Sequence, residues 1–157
     1  METLARASTY RHRTIRITTA RSTEFIDLTE RLEAFIAEAG VRFGFVNIQS
    51  VHTTTAIVVN EHEPLLLADF VTLHENAAPS DTGYRHDDAT VRTVNVTPDE
   101  RINGHAHCRA LLLAPSACLN VIDGCLQLGR WQRVFLAELD GPRERQISVL
   151  ILGDDGR

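Results

Sequence analysis

The chain has 157 residues, a net charge of -5, and 16 basic residues that are all arginine. Without lysine there is no Schiff-base chemistry, no lysine general base and no Walker-type phosphate loop, because each needs an ammonium group. The negative balance and dispersed arginines exclude a concentrated basic face for nucleic acid, and 43% hydrophobic residues suit one domain over 1–157 with a single core.

No apolar run reaches bilayer length, and Met1–Ala20 alternates Arg, Thr and Ile instead of presenting a secretion signal, so a cytoplasmic protein without membrane contact is expected. Cys108, Cys118 and Cys125 form neither a CxxC pair nor an even-numbered framework. They are expected to be reduced, each acting as a small buried apolar residue.

In chain order, Thr14–Thr19 alternates apolar and β-branched polar residues, which predicts the first strand. From Ser22 to Ala39, Phe25, Leu28, Leu32, Phe35, Ile36 and Ala39 recur at helical spacing, with Ser22 or Thr23 as N-cap and Gly40 as stop. Phe43–Val51 and Thr54–Val59 read as successive strands with His52 at the join. Glu63-Pro64 then opens a second helix, proline fitting its first turn. Ala77–Asp88 is a loop rich in Pro, Gly, Ser and Asp, followed by a short strand at Ala89–Val94. Thr97-Pro98-Asp99-Glu100 reads as a capping box that starts a helix, interrupted at Gly104 and resuming through His107 to Leu113. Cys118–Ile122, Trp131–Glu138 and Arg145–Leu152 complete the chain as three strands spaced as antiparallel neighbours.

Four of the seven histidines, His52, His86, His105 and His107, sit in polar or junction contexts. Imidazole is the commonest neutral metal ligand and titrates near neutrality. Asp87 and Asp88 adjoin His86, and Glu61 ends the strand that begins after His52, so carboxylates are available to orient a ligand or move a proton. His105 and His107 diverge on a helix, which leaves room for one of them in a site. Arg143 and Arg145 follow the Asp140-Gly141-Pro142 turn, where they could clamp a phosphate or pin the turn through Glu138 or Asp140. Trp131 is expected in the core or a subunit contact, and Ser116 lacks the elbow of a serine nucleophile.

Several segments together resemble the YjbQ family, described as secondary thiamine-phosphate synthases. They are Ser50–Ala56 running to Asn60-Glu61, Gly83–Asp87, Asn103 with Ala106-His107, Ser116, Asp123-Gly124, Leu126 to Leu128-Gly129, Trp131-Gln132, and Glu138 with Asp140–Arg143. The match covers about residue 10 to the C-terminus, departing at Ala114-Pro115 and Cys125. The resemblance implies an α+β fold, a largely antiparallel β-sandwich with packed helices, assembling as a homotrimer. It places functional weight on His52, His86, Asp87, Asn103 and His107, and makes no demand at His105.

The activity so implied is a transferase reaction. A thiazole phosphate is joined to an aminopyrimidine diphosphate with release of pyrophosphate. In that reading a divalent metal ion, zinc or magnesium, sits on His52, His86 and His107. Asp87 and Glu61 orient ligands or act in acid/base chemistry, Asn103 belongs to the catalytic set, and Arg143 takes the phosphate. The alternatives are a metal-dependent hydrolase of small phosphorylated compounds and a non-catalytic trimeric binding module.

Overall fold

The structure is a computed structural model that describes residues 9–154. Eight strands form two antiparallel sheets. The larger sheet has the order β1 (Thr9–Thr18), β8 (Glu144–Asp154), β3 (Phe43–Ser50), β5 (Ser116–Ile122), β6 (Cys125–Leu126), and the smaller has β2 (Glu24–Asp27), β7 (Gln132–Glu138), β4 (Thr55–Glu61). Three helices, α1 (Thr29–Ala39), α2 (Pro64–Ala77) and α3 (Gly104–Leu111), complete an α+β fold.

Alternation decides what each sheet buries. Ile147, Val149 and Ile151 of β8, Val46 and Ile48 of β3, and Val134 and Leu136 of β7 point into one core, closed by Leu32, Phe35 and Ile36 of α1. The other face of the small sheet turns Ala56, Ala137 and Leu139 toward Ala106 of α3, forming a second, smaller cluster. The small sheet is thus covered on both faces, which explains the near-continuous burial of β7.

The first expected helix is corrected at its start. Residues 24–27 pair with β7, Glu24 opposite Glu138 and Asp27 opposite Phe135, so the helix begins only at Thr29. A short run of apolar residues fits both periods, and the open edge of β7 takes the strand. Gly40 ends α1 as expected, in the left-handed conformation at φ 67. Glu63 caps α2 by accepting from the amides of Leu65 and Leu66.

Three further expectations are overturned. Residues 89–94 turn instead of forming a strand, because the Asp88 carboxylate accepts from the Thr90 amide at 2.9 Å and folds the backbone back. The capping box makes only a local bond, Thr97 N to Glu100 at 3.2 Å, and no helix follows; α3 opens at Gly104, where an interruption was expected. The last three long strands are not mutual neighbours: β7 lies in the small sheet and β5 and β8 in the large one. Nor are the cysteines buried, all three being free and exposed, and Trp131 is 61% exposed, outside the core.

Where β7 leaves one sheet and β8 enters the other, a buried ion pair joins them. Arg145 donates to Glu138 through Nε at 2.5 Å and Nη2 at 2.6 Å, and both residues are almost fully buried. Thr19 Oγ1 and the amides of Asp140 and Gly141 also donate to Glu138, at 3.0, 2.9 and 2.7 Å. Burial alone raises the Glu138 pKa. Hydrogen bonds from Arg145 and the two amides outweigh it and hold the carboxyl below its ordinary value.

At the opposite end of the small sheet, Asp27 accepts from Arg133 at 2.7 Å, His62 at 2.9 Å and the Thr29 amide at 2.8 Å. Burial opposes ionisation there too, but these donors bring Asp27 down to about 2.

Removing one member of a buried pair strands the other charge, so Glu138→Ala should lower stability by about 3–5 kcal/mol in urea unfolding. Glu144→Ala, which breaks an exposed pair with Arg16, should barely move the midpoint. Equal midpoint shifts in the two variants would contradict the account. Asp27 has a depressed folded pKa, so its contribution is complete above the unfolded value of 3.8 and is lost as pH falls toward about 2. Unfolding midpoints followed across that window should fall less steeply in Asp27→Asn than in the parent chain.

Candidate functional site

The register of β4 on β7 gives the small sheet two chemically different ends. Thr55 faces Glu138 at one end and Glu61 faces Gln132 at the other. Beyond Glu138 the chain turns through Asp140–Arg143. The Asp140 Oδ2 atom there accepts from Asn103 Nδ2 at 2.9 Å and from Arg143 Nη2 at 2.5 Å. Arg101 donates to the Gly141 carbonyl at 2.7 Å and lies 4.0 Å from Asp140. Asp140 is buried, so two donors and a nearby arginine gather around one shielded carboxylate.

Asn103 spans the site. Its Nδ2 is committed to Asp140, while its Oδ1 is buried and has no hydrogen-bond partner among the described residues. A buried carbonyl oxygen without a donor costs free energy unless something binds there.

The loop before α3 brings in the next groups. Asp87 ends a short 3-10 turn (Arg85–Asp87), and its Oδ1 accepts from the amides of Asn103 at 3.0 Å and Gly104 at 2.9 Å. This carboxylate therefore caps α3 from a distant part of the chain. Gly104 is required by the contact, since a Cβ there would stand 2.5 Å from Tyr84 Cβ. The cap carries His86 to His107 of α3, with ring centroids 4.5 Å apart. Arg92 donates to His86 Nε2 at 3.2 Å and pairs with Glu100 at 2.8 Å. A cavity of about 270 Å³ opens beside them, lined by His86, Asp87, Arg92, Glu100 and Arg101. Burial, then the neighbouring His86, lowers the His107 pKa, which favours its neutral form near pH 7. His105 leaves the opposite side of α3 and lies against Tyr84, ring centroids 6.4 Å apart.

His52 stands at the join of β3 and β4 against the start of β8, where its Nε2 accepts from the Gln146 amide at 2.9 Å. Burial, then the positive charge of Arg145, lowers its pKa.

Of the expected residues, the fold brings together His86 with His107, Asp87 with Asn103, and Arg143 with Asn103 through Asp140. Glu61 is not among them. It ends β4 at the far edge of the sheet, six residues and roughly 20 Å from Thr55 at the strand rise, in a cleft with His62, Arg130 and Trp131. Among the described residues no three His, Cys, Asp or Glu side chains stand together to hold a metal ion. Two of the three expected imidazoles already accept protein hydrogen bonds at Nε2. The side chains of one chain therefore do not fit a three-histidine metal centre. The arginines after the turn take the second of their two expected parts, Arg143 pairing with Asp140 and Arg145 with Glu138, and only Arg92 was missed from the sequence. Nothing local in the sequence marks Arg92.

No helix among the described residues is long and apolar enough to cross a membrane. The model for the family described as UPF0047 protein YjbQ-like matches residues 13–154. A UPF0047 protein of Methanothermobacter thermautotrophicus is 39% identical over 86% of this chain and 87% of its own length. YugU of Bacillus subtilis, also a UPF0047 protein, is 30% identical over 90% and 98%. Among solved structures, a YbjQ-like protein of unknown function from Sulfolobus solfataricus P2 superposes with a TM-score of 0.84 at 34% identity, covering 94% of this chain and 100% of that one. A hypothetical protein of Aeropyrum pernix K1 gives 0.81 at 30% identity, covering 92% and 99%. The family match spans both sheets, the Asp87-capped helix and the Asp140–Arg143 turn, and the chain belongs to the YjbQ-like UPF0047 family.

Proposed function

We propose that the chain is a transferase acting on small phosphorylated compounds, of the thiamine-phosphate synthase type. In that reaction a thiazole nitrogen forms a bond to the methylene carbon of an aminopyrimidine diphosphate. The carbon–oxygen bond breaks, and its electron pair leaves on pyrophosphate. Negative charge builds on the departing oxygens, so the protein must supply oriented donors there.

The observation that supports the reading is the meeting of His86 and His107 next to Arg92, on the α3 whose N-terminal Asn103 is tied through Asp140 to Arg143. Arg143 is half-buried and preset by Asp140, which suits it to a phosphate without further ordering. Asp87 acts through α3, holding Asn103 and His107 in place. The unpartnered Asn103 Oδ1 invites a donor such as the exocyclic amine of an aminopyrimidine. Glu61 takes no part, being at the far end of β4.

A homotrimer and a divalent ion belong to the same proposal. One chain offers His107, whose ring accepts no hydrogen bond among the described residues, and a second copy would supply the donors that a zinc or magnesium site still lacks.

Pyrophosphate release should require both substrates together, and His107→Ala should slow it by about 10²–10⁴-fold, the range of a positioned proton-transfer group. Release from the diphosphate alone, at the same rate with and without thiazole phosphate, would favour the hydrolase; equal rates in parent and variant would end the catalytic reading. Light scattering should give three times the chain mass, and the metal content of the trimer should fall in His107→Ala. A monomer that retains its metal in that variant would sink the shared site.

A further inference from the structure

We infer that His52 serves this site as a hydrogen-bond donor to an anionic oxygen of the substrate, through Nδ1–H, and not as a metal ligand. The inference rests on the anion-handling reading of the site and assigns His52 a different part in it from the one its sequence position suggests.

The tautomer follows from a single contact. The Gln146 backbone N–H can only donate, and it points at His52 Nε2 from 2.9 Å. That nitrogen must therefore carry the lone pair, so a neutral ring holds its proton on Nδ1. Turning the ring over would replace Nε2 by a C–H and waste the amide of a paired strand. A ligand bond from Nε2 to a metal would strip the same amide of its acceptor, since one lone pair cannot serve both.

The remaining nitrogen is free to work. Among the described residues Nδ1 has no hydrogen-bond partner, and Asn103 Oδ1 is the one buried side-chain polar atom without one, so Nδ1 is not fully buried. The charges acting on the ring are those of Arg145, Glu138 and Arg143. Arg145 and Glu138 neutralise one another in the interior, which leaves Arg143 as the partly exposed cation whose field reaches the ring. A neutral N–H beside a guanidinium fits a phosphoryl oxygen: the arginine supplies charge and the imidazole supplies direction. Because Nε2 accepts the Gln146 amide it carries no proton, so the ring is a neutral donor through Nδ1 and adds no further cation beside the arginines. Ser50 holds the start of this turn, donating to the His52 carbonyl at 3.4 Å and accepting from the His52 amide at 3.3 Å, which fixes the backbone from which the ring projects.

Two substitutions separate the two ring nitrogens. His52→Asn keeps a donor near Nδ1 and loses the acceptor, and His52→Gln keeps an acceptor near Nε2 and loses the donor. Binding of inorganic pyrophosphate is measured by calorimetry, before and after treatment with a chelator, alongside metal analysis. A hydrogen bond to a charged group corresponds to about 10–100-fold in affinity, so His52→Gln should weaken pyrophosphate by that factor. His52→Asn should stay within about threefold of the parent, and neither variant should lose metal relative to it. Nitrogen-15 spectra of the unsubstituted chain should show His52 as the Nδ1–H tautomer, a readout that does not depend on the variants folding.

The inference is overturned if His52→Gln binds pyrophosphate like the parent, if His52→Asn binds as weakly as His52→Gln, if either variant loses metal the parent carries, or if the spectra show the Nε2–H form. Pyrophosphate binding that follows the expected pattern without any turnover would refute the transferase reading alone. Turnover with unchanged binding in His52→Gln would refute this inference alone.

Discussion

Glu138 and Arg145 meet in the interior at the point where the chain passes from the small sheet to the large one. Neither charge is tolerable there without the other, because each has lost its water and the attraction between them only offsets that loss. The pair therefore fixes the geometry of the crossing more than it adds stability. With Glu138 also accepting from the Asp140 and Gly141 amides, the turn that follows has little freedom. Asp140 and Arg143 are presented from that turn, and His52 leans on the amide of Gln146 directly after Arg145.

A second constraint comes from the other side. The loop between α2 and α3 is long and largely without regular structure, yet its key carboxylate, Asp87, is fixed by the amides that the start of α3 leaves without a helical partner. A helix N-terminus has unpaired N–H groups, and a carboxylate from elsewhere satisfies them as well as a local cap does. Arg109, near the end of the same helix, donates to the Ala78 carbonyl at 2.9 Å and pairs with Glu75, so α3 is tied to both ends of the loop that it organises. Asn103 joins the two constraints, its backbone held by Asp87 and its side chain by Asp140.

Under the proposed function this arrangement is taken as an anion site with neutral imidazoles in it. Burial lowers the pKa of both His52 and His107, and Arg92, Arg101 and Arg143 stand around the same region of the fold. The division is physically economical. In that proposal arginines would attract a phosphorylated substrate, and uncharged rings would set direction without competing for the same counter-charge.

The sequence by itself determined those features that depend on nearest neighbours along the chain. Gly40 marks the end of α1, Glu63-Pro64 marks the start of α2, alternation marks β1, β-branched and aromatic residues mark β3 and β4, and the lack of lysine restricts anion binding to arginine, histidine and amides. The set of motif residues from His52 to Arg143 also identified the family. Tertiary structure alone decided that residues 24–27 pair as a strand, that β7 and β8 belong to different sheets, and that the Thr97–Glu100 box stops at a turn. It also decided that Glu61 lies at the wrong end of its strand to join His52, and that the Nε2 of His52 is already taken. Periodicity reports only which face of an element is apolar. Which partner fills a given lone pair, and which end of a strand meets which loop, depend on residues dozens of positions away, and burial gives those contacts their energy.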